Sequence, residues 1–306
     1  MNWLVFHVAS GQSFFSGVAL VVFATLLSAR SGLIAKRLTS VAFLMGVIAI
    51  AISSTPLPYW YYGLAGLITM GWLVSVYVAR WQCCSQIAVI ATWSVAIAME
   101  LPFQFTPTLE PVSTRSMTIV GDSITAGMGM IERSSSRIAP RSEDALQSEP
   151  LQSNRSVRWP TLFAAEHHIR VQDLSQPGAT TATALKTVQA QPITAPVVVL
   201  EIGGNDVLGD TTSEEYARDL EALLSQLAVP GRQLIMFELP LPPFRNEFGR
   251  IQRTLARKHN VALVPKRVLL SAIAADDSTV DTIHLTPTGH KRMAKLVWSF
   301  VQSAFP

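Results

Sequence analysis

Five residues of this chain have the types and order needed for acyl-transfer chemistry. They lie in four separated blocks: Gly121-Asp122-Ser123, Pro177-Gly178-Ala179-Thr180, Gly203-Gly204-Asn205-Asp206, and a turn from Asp281 to His284. A serine hydroxyl is a weak nucleophile until a base takes its proton, and an imidazole held by a carboxylate is the usual base. Asp281 and His284, three residues apart, can hydrogen-bond so that one ring nitrogen meets the carboxylate and the other faces Ser123. The tetrahedral oxyanion then needs preorganised donors, a task suited to a glycine N–H and an asparagine amide. Gly178 and Asn205 are the candidates. A glycine at 178 lets substrate come close to the backbone, and Gly203 and Gly204 permit a turn that aims Asn205 inward. The set requires no metal and no organic cofactor.

Other polar residues near these blocks have blander readings. Asp122 and Asp206 are expected to stabilise turns, and Glu201 reads equally as structural or functional. His290, in Thr-Pro-Thr-Gly-His at the start of the last helix, is the alternative base, although His284 has its carboxylate at the better spacing. His167 and His168 end a helix and are expected to face solvent.

From Met117 onward the elements that must hold these residues alternate. Strands are expected at Met117–Val120, Arg170–Leu174, Val197–Ile202, Gln233–Glu238 and Val261–Val264. Helices are expected at Pro160–His167, Thr180–Ala190, Ser213–Leu227, Phe248–His259 and Pro287–Val301. Such alternation implies a parallel sheet with helices on both faces, and sites in such sheets gather at the C-terminal strand ends. The stretch from Arg133 to Arg158, rich in Ser, Arg, Gln and Pro, has no apolar periodicity. It reads as a solvated loop, or as a lid or headgroup-facing surface presenting Arg133, Arg137, Arg141, Arg155 and Arg158.

The first third is different. A mean hydropathy of +0.32 with 15% charged residues is too apolar for one soluble globule. Up to Gln104 the formal charges are Arg30, Lys36, Arg37, Arg80 and Glu100, which account for the whole net charge of +3. The remainder is neutral overall, which argues against a nucleic-acid-binding face. Four apolar stretches, Phe14–Ala29, Thr39–Ile52, Tyr59–Ala79 and Ile87–Leu101, approach the roughly 20 residues that cross a bilayer. No basic segment precedes the first, so it reads as retained and not as a signal peptide. The basic residues fall in the first and third connections and the second has none, which places the termini outside the cytoplasm. Trp60, Tyr61 and Tyr62 fit an outer aromatic belt. No histidine or carboxylate sits in the middle of a span, which favours an anchor over an ion pathway. Cys83 and Cys84 are neighbours in this apolar third and read as packing or loop positions. The soluble part has no cysteine and is compatible with an oxidising compartment. The expected division is a transmembrane region over 1–103, a proline-bearing linker over 104–116, and a catalytic domain over 117–306.

In order and spacing the four blocks resemble the SGNH hydrolase superfamily, also called GDSL esterases and lipases, over about Met117 to Phe305. Leu-Glu-Ile-Gly-Gly-Asn-Asp-Val-Leu at 200–208 is similar to the bacterial periplasmic thioesterase and lysophospholipase branch. The resemblance implies a three-layer α/β/α sandwich, here preceded by a four-helix transmembrane region. It also implies Ser123 as nucleophile, His284 as base, Asp281 as its orienter, and the Ser123 N–H, Gly178 and Asn205 as oxyanion donors. The sequence departs from the pattern at Ile124, where the motif name has leucine, at Gln176, where asparagine is frequent, and in its multi-span N-terminus. The expected function is a serine ester hydrolase in the cytoplasmic membrane, its catalytic domain on the periplasmic side. It would act on acyl esters of lipids or of envelope glycans through an acyl-enzyme. Acyl transfer to a glycan by the same serine, or an inactive membrane-anchored scaffold, are the alternatives.

Overall fold

The computed structural model describes residues 3–75, 82–127 and 157–306. Arg80, Trp81 and the stretch 133–156 lie outside the described residues. The chain divides into two compact units, one of Thr106–Leu239 with Ile251–Pro306, the other of Trp3–Phe105 with Pro240–Arg250.

The first unit is built on a five-stranded sheet. Its strands are β1 (Ser116–Gly121), β2 (Arg170–Asp173), β3 (Val197–Glu201), β4 (Gln233–Phe237) and β5 (Val261–Val264), in the order β2-β1-β3-β4-β5. All neighbours are parallel. Strands buried on both faces read as continuous apolar runs, and all five residues of β3 are buried. In the α/β unit the α helices from Ser123 onward are α6 (Ser123–Ala126), α7 (Trp159–His167), α8 (Thr181–Ala190), α9 (Gly204–Leu208), α10 (Ser213–Leu227), α11 (Asn246–Lys258), α12 (Lys266–Ala274) and α13 (Pro287–Val301). The first turn of α11 belongs to the helical unit.

Side chains alternate across a strand, so Met117, Ile119, Val197 and Val199 share one face. There they form a single core with Trp159 and Phe163 of α7, Leu269 and Ile273 of α12, and Met293, Val297 and Phe300 of α13. Val120, Val198, Leu200, Leu234 and Met236 are buried on the opposite face. Helices α8 and α10 pack on each other and bury Val188, Tyr216, Leu220 and Leu224. Helix starts follow local chemistry. Thr212 and Glu215 form a capping box, the Thr212 N–H donating to Glu215 Oε2 at 2.9 Å and the Glu215 N–H to Thr212 Oγ1 at 3.2 Å. The hydroxyl of Thr286 caps α13 by accepting from the Gly289 N–H at 3.1 Å, with Pro287 at the first helical position.

The second unit is helical. It contains α1 (Trp3–Ala9), α2 (Gln12–Leu27), α3 (Leu33–Ile52), α4 (Tyr59–Ser75) and α5 (Gln82–Glu100), which a short 3-10 turn extends to Gln104. Among the described residues, Leu33–Ile52 and Gln82–Gln104 are long and apolar enough to cross a membrane. The α1–α2 pair, bent by 85°, would make a third if it is one span. Small residues let α2 and α3 approach closely: a Cβ on Gly17 would come within 2.7 Å of the Gly46 carbonyl oxygen. Polar ties add to this, Trp93 Nε1 donating to Thr69 Oγ1 at 3.1 Å and Gln86 Nε2 to the Thr25 carbonyl at 3.0 Å. The unit also takes in Pro240–Arg250, where Asn246 Nδ2 donates to the Ser53 carbonyl at 3.0 Å.

Candidate active site

The order of the strands decides where a site can form. The chain leaves β1 toward β2 on one side and leaves β3 toward β4 on the other, which opens a crevice at the C-terminal ends of β1 and β3. Gly121 and Glu201 are paired at that edge, so the residues just after them are brought together.

Ser123 opens α6. A Cβ on Gly121 would lie 2.7 Å from Thr125, so the absence of a side chain there lets the turn fold back tightly. Asp122 precedes the helix and caps it, its Oδ1 accepting from the Ile124 N–H at 2.9 Å. The Ser123 N–H, at the first helical position, has no intrahelical acceptor. After β2, the Ala179 N–H donates to the Gln176 carbonyl at 3.1 Å, closing a turn with Pro177 second and Gly178 third. Gly178 has φ +70°, the geometry of a type II turn, which disfavours any residue with a side chain. The departure at Gln176 therefore costs the turn nothing, because its backbone makes the closing bond.

After β3, Asn205 Nδ2 donates to the Ala179 carbonyl at 2.9 Å and makes a longer contact of 3.4 Å with Asp122 Oδ2. The first bond orients the amide, and the second is weak enough to be exchanged for a substrate oxygen. Asp206 supports the neighbouring block: its carboxylate accepts from the Thr181 N–H at 2.9 Å and from the Thr181 hydroxyl at 2.8 Å, tying the start of α8 to α9.

The last block lies between α12 and α13. His284 Nε2 is 3.0 Å from Ser123 Oγ, and His284 Nδ1 is 2.7 Å from Asp281 Oδ2. Asp281 Oδ1 also accepts from the N–H groups of Ile283 at 2.7 Å and His284 at 2.8 Å. Partial burial pushes the Asp281 carboxyl upward, but these two N–H groups and the imidazole outweigh it and hold its pKa at about 2. The carboxylate is therefore ionised across the pH range in which an imidazole can act as base. Ser123, His284 and Asp281 thus form one hydrogen-bonded chain, with Gly178 and Asn205 at the neighbouring strand ends.

The other histidines are placed elsewhere. His290 is fully buried, and its Nδ1 accepts from the Trp159 N–H at 3.3 Å. Burial pushes its pKa down to about 4, which keeps it a neutral acceptor within the core. His167 is not simply solvent-facing: its ring stacks on Trp298 at 3.9 Å between centroids. Of the arginines between 133 and 158, Arg158 lies in the described residues and pairs with Asp173 at 3.2 Å, tying α7 to β2.

Beneath the serine lies a carboxylate pair whose linkage the sequence reading left open. Glu201 Oε2 accepts from the Thr125 hydroxyl at 2.8 Å, and Thr125 Oγ1 in turn accepts from Trp159 Nε1 at 3.2 Å. A carboxylate closing an otherwise apolar strand was the available signal. Burial, together with the nearby charge of Asp122, raises Glu201 well above its ordinary value, and burial raises Asp122 to about 6. A carboxyl with a raised folded-state pKa binds its proton more tightly when folded, so its contribution to stability declines as pH climbs through that raised value. Thermal melts are expected to show stability falling between pH 4 and pH 7 through this pair. Glu201→Gln, which keeps an acceptor for Thr125, is expected to flatten that slope; an unchanged slope would show that the pair does not set it.

These features and the sequence agree on a class. The profile of the GDSL-like Lipase/Acylhydrolase family matches residues 119–292, more than half of the chain, and the protein belongs to that family. Hydrolysis of ester-type substrates is the activity this membership supports. The chain is 24% identical over 203 residues to Esterase TesA of Pseudomonas aeruginosa, a match that spans 62% of this chain and 89% of that one. Among solved structures, that of TesA covers 60% of this chain and 97% of its own, at 24% identity and a TM-score of 0.46. The psychrotrophic esterase EstA from Pseudoalteromonas sp. covers 61% and 97%, at 16% identity and a TM-score of 0.48.

Proposed function

We propose that this protein is a membrane-anchored serine hydrolase that cleaves acyl esters through an acyl-enzyme. The observation that carries the reading is the continuous chain from Asp281 Oδ2 through His284 to Ser123 Oγ, at 2.7 and 3.0 Å. His284 Nε2 takes the serine proton as Oγ attacks the carbonyl carbon, then delivers it to the leaving-group oxygen as that bond breaks. Water enters by the same route: His284 removes its proton, the hydroxide oxygen displaces Ser123, and the proton returns to Oγ. The Ser123 and Gly178 N–H groups and Asn205 Nδ2 receive the oxyanion. The intact geometry argues against a degenerate, purely scaffolding domain.

A fluorophosphonate probe tests the nucleophile. Wild-type protein should be labelled covalently and Ser123→Ala should not; equal labelling of both would sink the assignment. Asn205→Ala should lower kcat by about 10² to 10³, the usual size for one oxyanion donor. Steady-state kinetics on a p-nitrophenyl ester checks this, and a change confined to KM would mean that Asn205 only binds.

The anchor is read from α3, α5 and the bent α1–α2 pair, which are apolar enough to span, together with α4, whose described part has 17 residues. Many of their apolar side chains, among them Leu44, Leu67 and Ile87, are exposed. Four spans with Arg30, Lys36, Arg37 and Arg80 on the cytoplasmic side put the catalytic domain outside. The substrate class is then an acyl ester of a membrane lipid or of an acylated envelope glycan. A phosphatase reporter, which works only outside the cytoplasm, is expected to be active when fused after Phe305; an inactive fusion would reverse the topology.

A further inference from the structure

Within the helical unit, bounded by α2, α3, α4, α5 and the Pro240–Arg250 segment, lies a cavity of about 710 Å³. That is within the roughly 300–1,000 Å³ of small-molecule sites. Val21, Phe43, Ile50, Met70 and Trp93 make most of its wall apolar, and Arg250 is the one formal charge in that wall. Arg250 comes from the chain that follows β4. Its guanidinium lies 3.4 Å from the centre of the Tyr59 ring, and Nη1 donates to the Leu57 carbonyl at 3.3 Å. Nη2 has no hydrogen-bond partner and the side chain has no carboxylate partner among the described residues. One turn earlier on α11, Asn246 Nδ2 donates to the Ser53 carbonyl, and its Oδ1 has no partner among the described residues.

A charge in an apolar wall is costly unless an opposite charge compensates it, and low dielectric makes that attraction strong. We propose that this cavity binds a single-chain anionic amphiphile, its acyl chain among Phe43, Met70 and Trp93 and its anionic oxygen against Arg250. A carboxylate or a phosphate ester would satisfy the same chemistry. The ligand reaches the cavity from the bilayer, so the site rests on the membrane embedding proposed above, but not on the chemistry of Ser123.

The test uses the full chain carrying Ser123→Ala, so that no ester is consumed, in phosphatidylcholine nanodiscs. Three probes share one diazirine-bearing palmitoyl chain: the free fatty acid, the monoacyl glycerophosphate and the neutral monoacylglycerol. Cross-linked sites are mapped to single residues by tandem mass spectrometry. Both or either of the anionic probes should label peptides carrying Phe43, Met70 and Trp93 at least about tenfold more than the neutral one, a difference of about 1.4 kcal/mol. The stronger of the two identifies the head group. A Cβ at Gly66, in the cavity wall, meets nothing within 4 Å, so Gly66→Leu has room to project into the cavity and should cut this labelling about tenfold. Val47→Phe fills it from α3 should the first variant fail to fold, with melting curves as the check. Arg250→Gln should bring the anionic probes down to the neutral level. Equal labelling by all three probes overturns the anionic ligand. Labelling of outward-facing Leu44 and Leu67 that Gly66→Leu or Val47→Phe leaves unchanged overturns the cavity as the site. An inactive phosphatase fusion would instead overturn the membrane embedding on which the site rests.

Discussion

Ser123→Ala and His284→Ala are each expected to lower kcat by about 10⁶, and the double variant is expected to be little worse than either single one. The reason is that the two side chains act as one unit. Ser123 Oγ has no driving force to attack without a proton acceptor 3.0 Å away, and His284 has no proton to move without the hydroxyl. What survives is the contribution of oxyanion donors and substrate binding, about 10³ to 10⁴ over water. Rates on a p-nitrophenyl ester for the two single variants and the double one check this. If the double variant lost the product of the two single effects, the residues would be acting independently and the shared proton transfer would be wrong.

Asp281→Asn is expected to cost about 10³ to 10⁴ in kcat. The carboxylate does two things: Oδ1 fixes the turn through the Ile283 and His284 N–H groups, and Oδ2 accepts from Nδ1 of the ring. An amide can keep the first role but presents either a donor or a neutral acceptor to the ring, so the imidazole loses its preferred tautomer and the stabilisation of its charged form. Asp281 is half exposed, its side chain being 51% accessible, so solvent screens part of that charge and the loss should not exceed the upper figure. Because the wild-type carboxyl titrates at about 2, protonation of Asp281 should not contribute to the acid limb of the rate profile above about pH 4. Rates of wild type and Asp281→Asn on the same p-nitrophenyl ester check the expected loss, and an unchanged kcat would show that Asp281 does not act through His284.

Much of the α/β unit was legible because its elements carry strong local signals. Val197-Val-Val-Leu could only be a buried strand, Thr212-x-x-Glu marks a helix start, and Pro177-Gly178 marks a turn, so the boundaries read from sequence fall within two residues of those in the structure. The helix α12 was not anticipated. Lys266 and Arg267 at its start look like solvent-facing residues, but Lys266 is buried 3.6 Å from Glu238, which also binds Arg253 at 2.6 Å. A buried ion group at a strand end has no local signature, because each charge is tolerable only through partners distant in sequence.

From the sequence alone come the hydrolase family and the candidate residues: four blocks, each with the side chain its strand end or turn must present, in the order of a hydrolase. The sequence also shows that the first third is apolar enough for membrane-spanning helices. What distinguishes His284 from His290 is visible only in three dimensions: both follow turns, but the fold leaves His284 facing Ser123 and seals His290 against Trp159. Only tertiary structure assigned Pro240–Arg250 to the helical unit, because that stretch has no apolar period of its own and takes its place from bonds to Ser53 and Leu57, nearly 200 residues earlier. Ser123 was readable as a candidate nucleophile from its neighbours in the chain; its contact with His284 and the Thr125–Glu201 support beneath it depend on distances that local sequence does not encode.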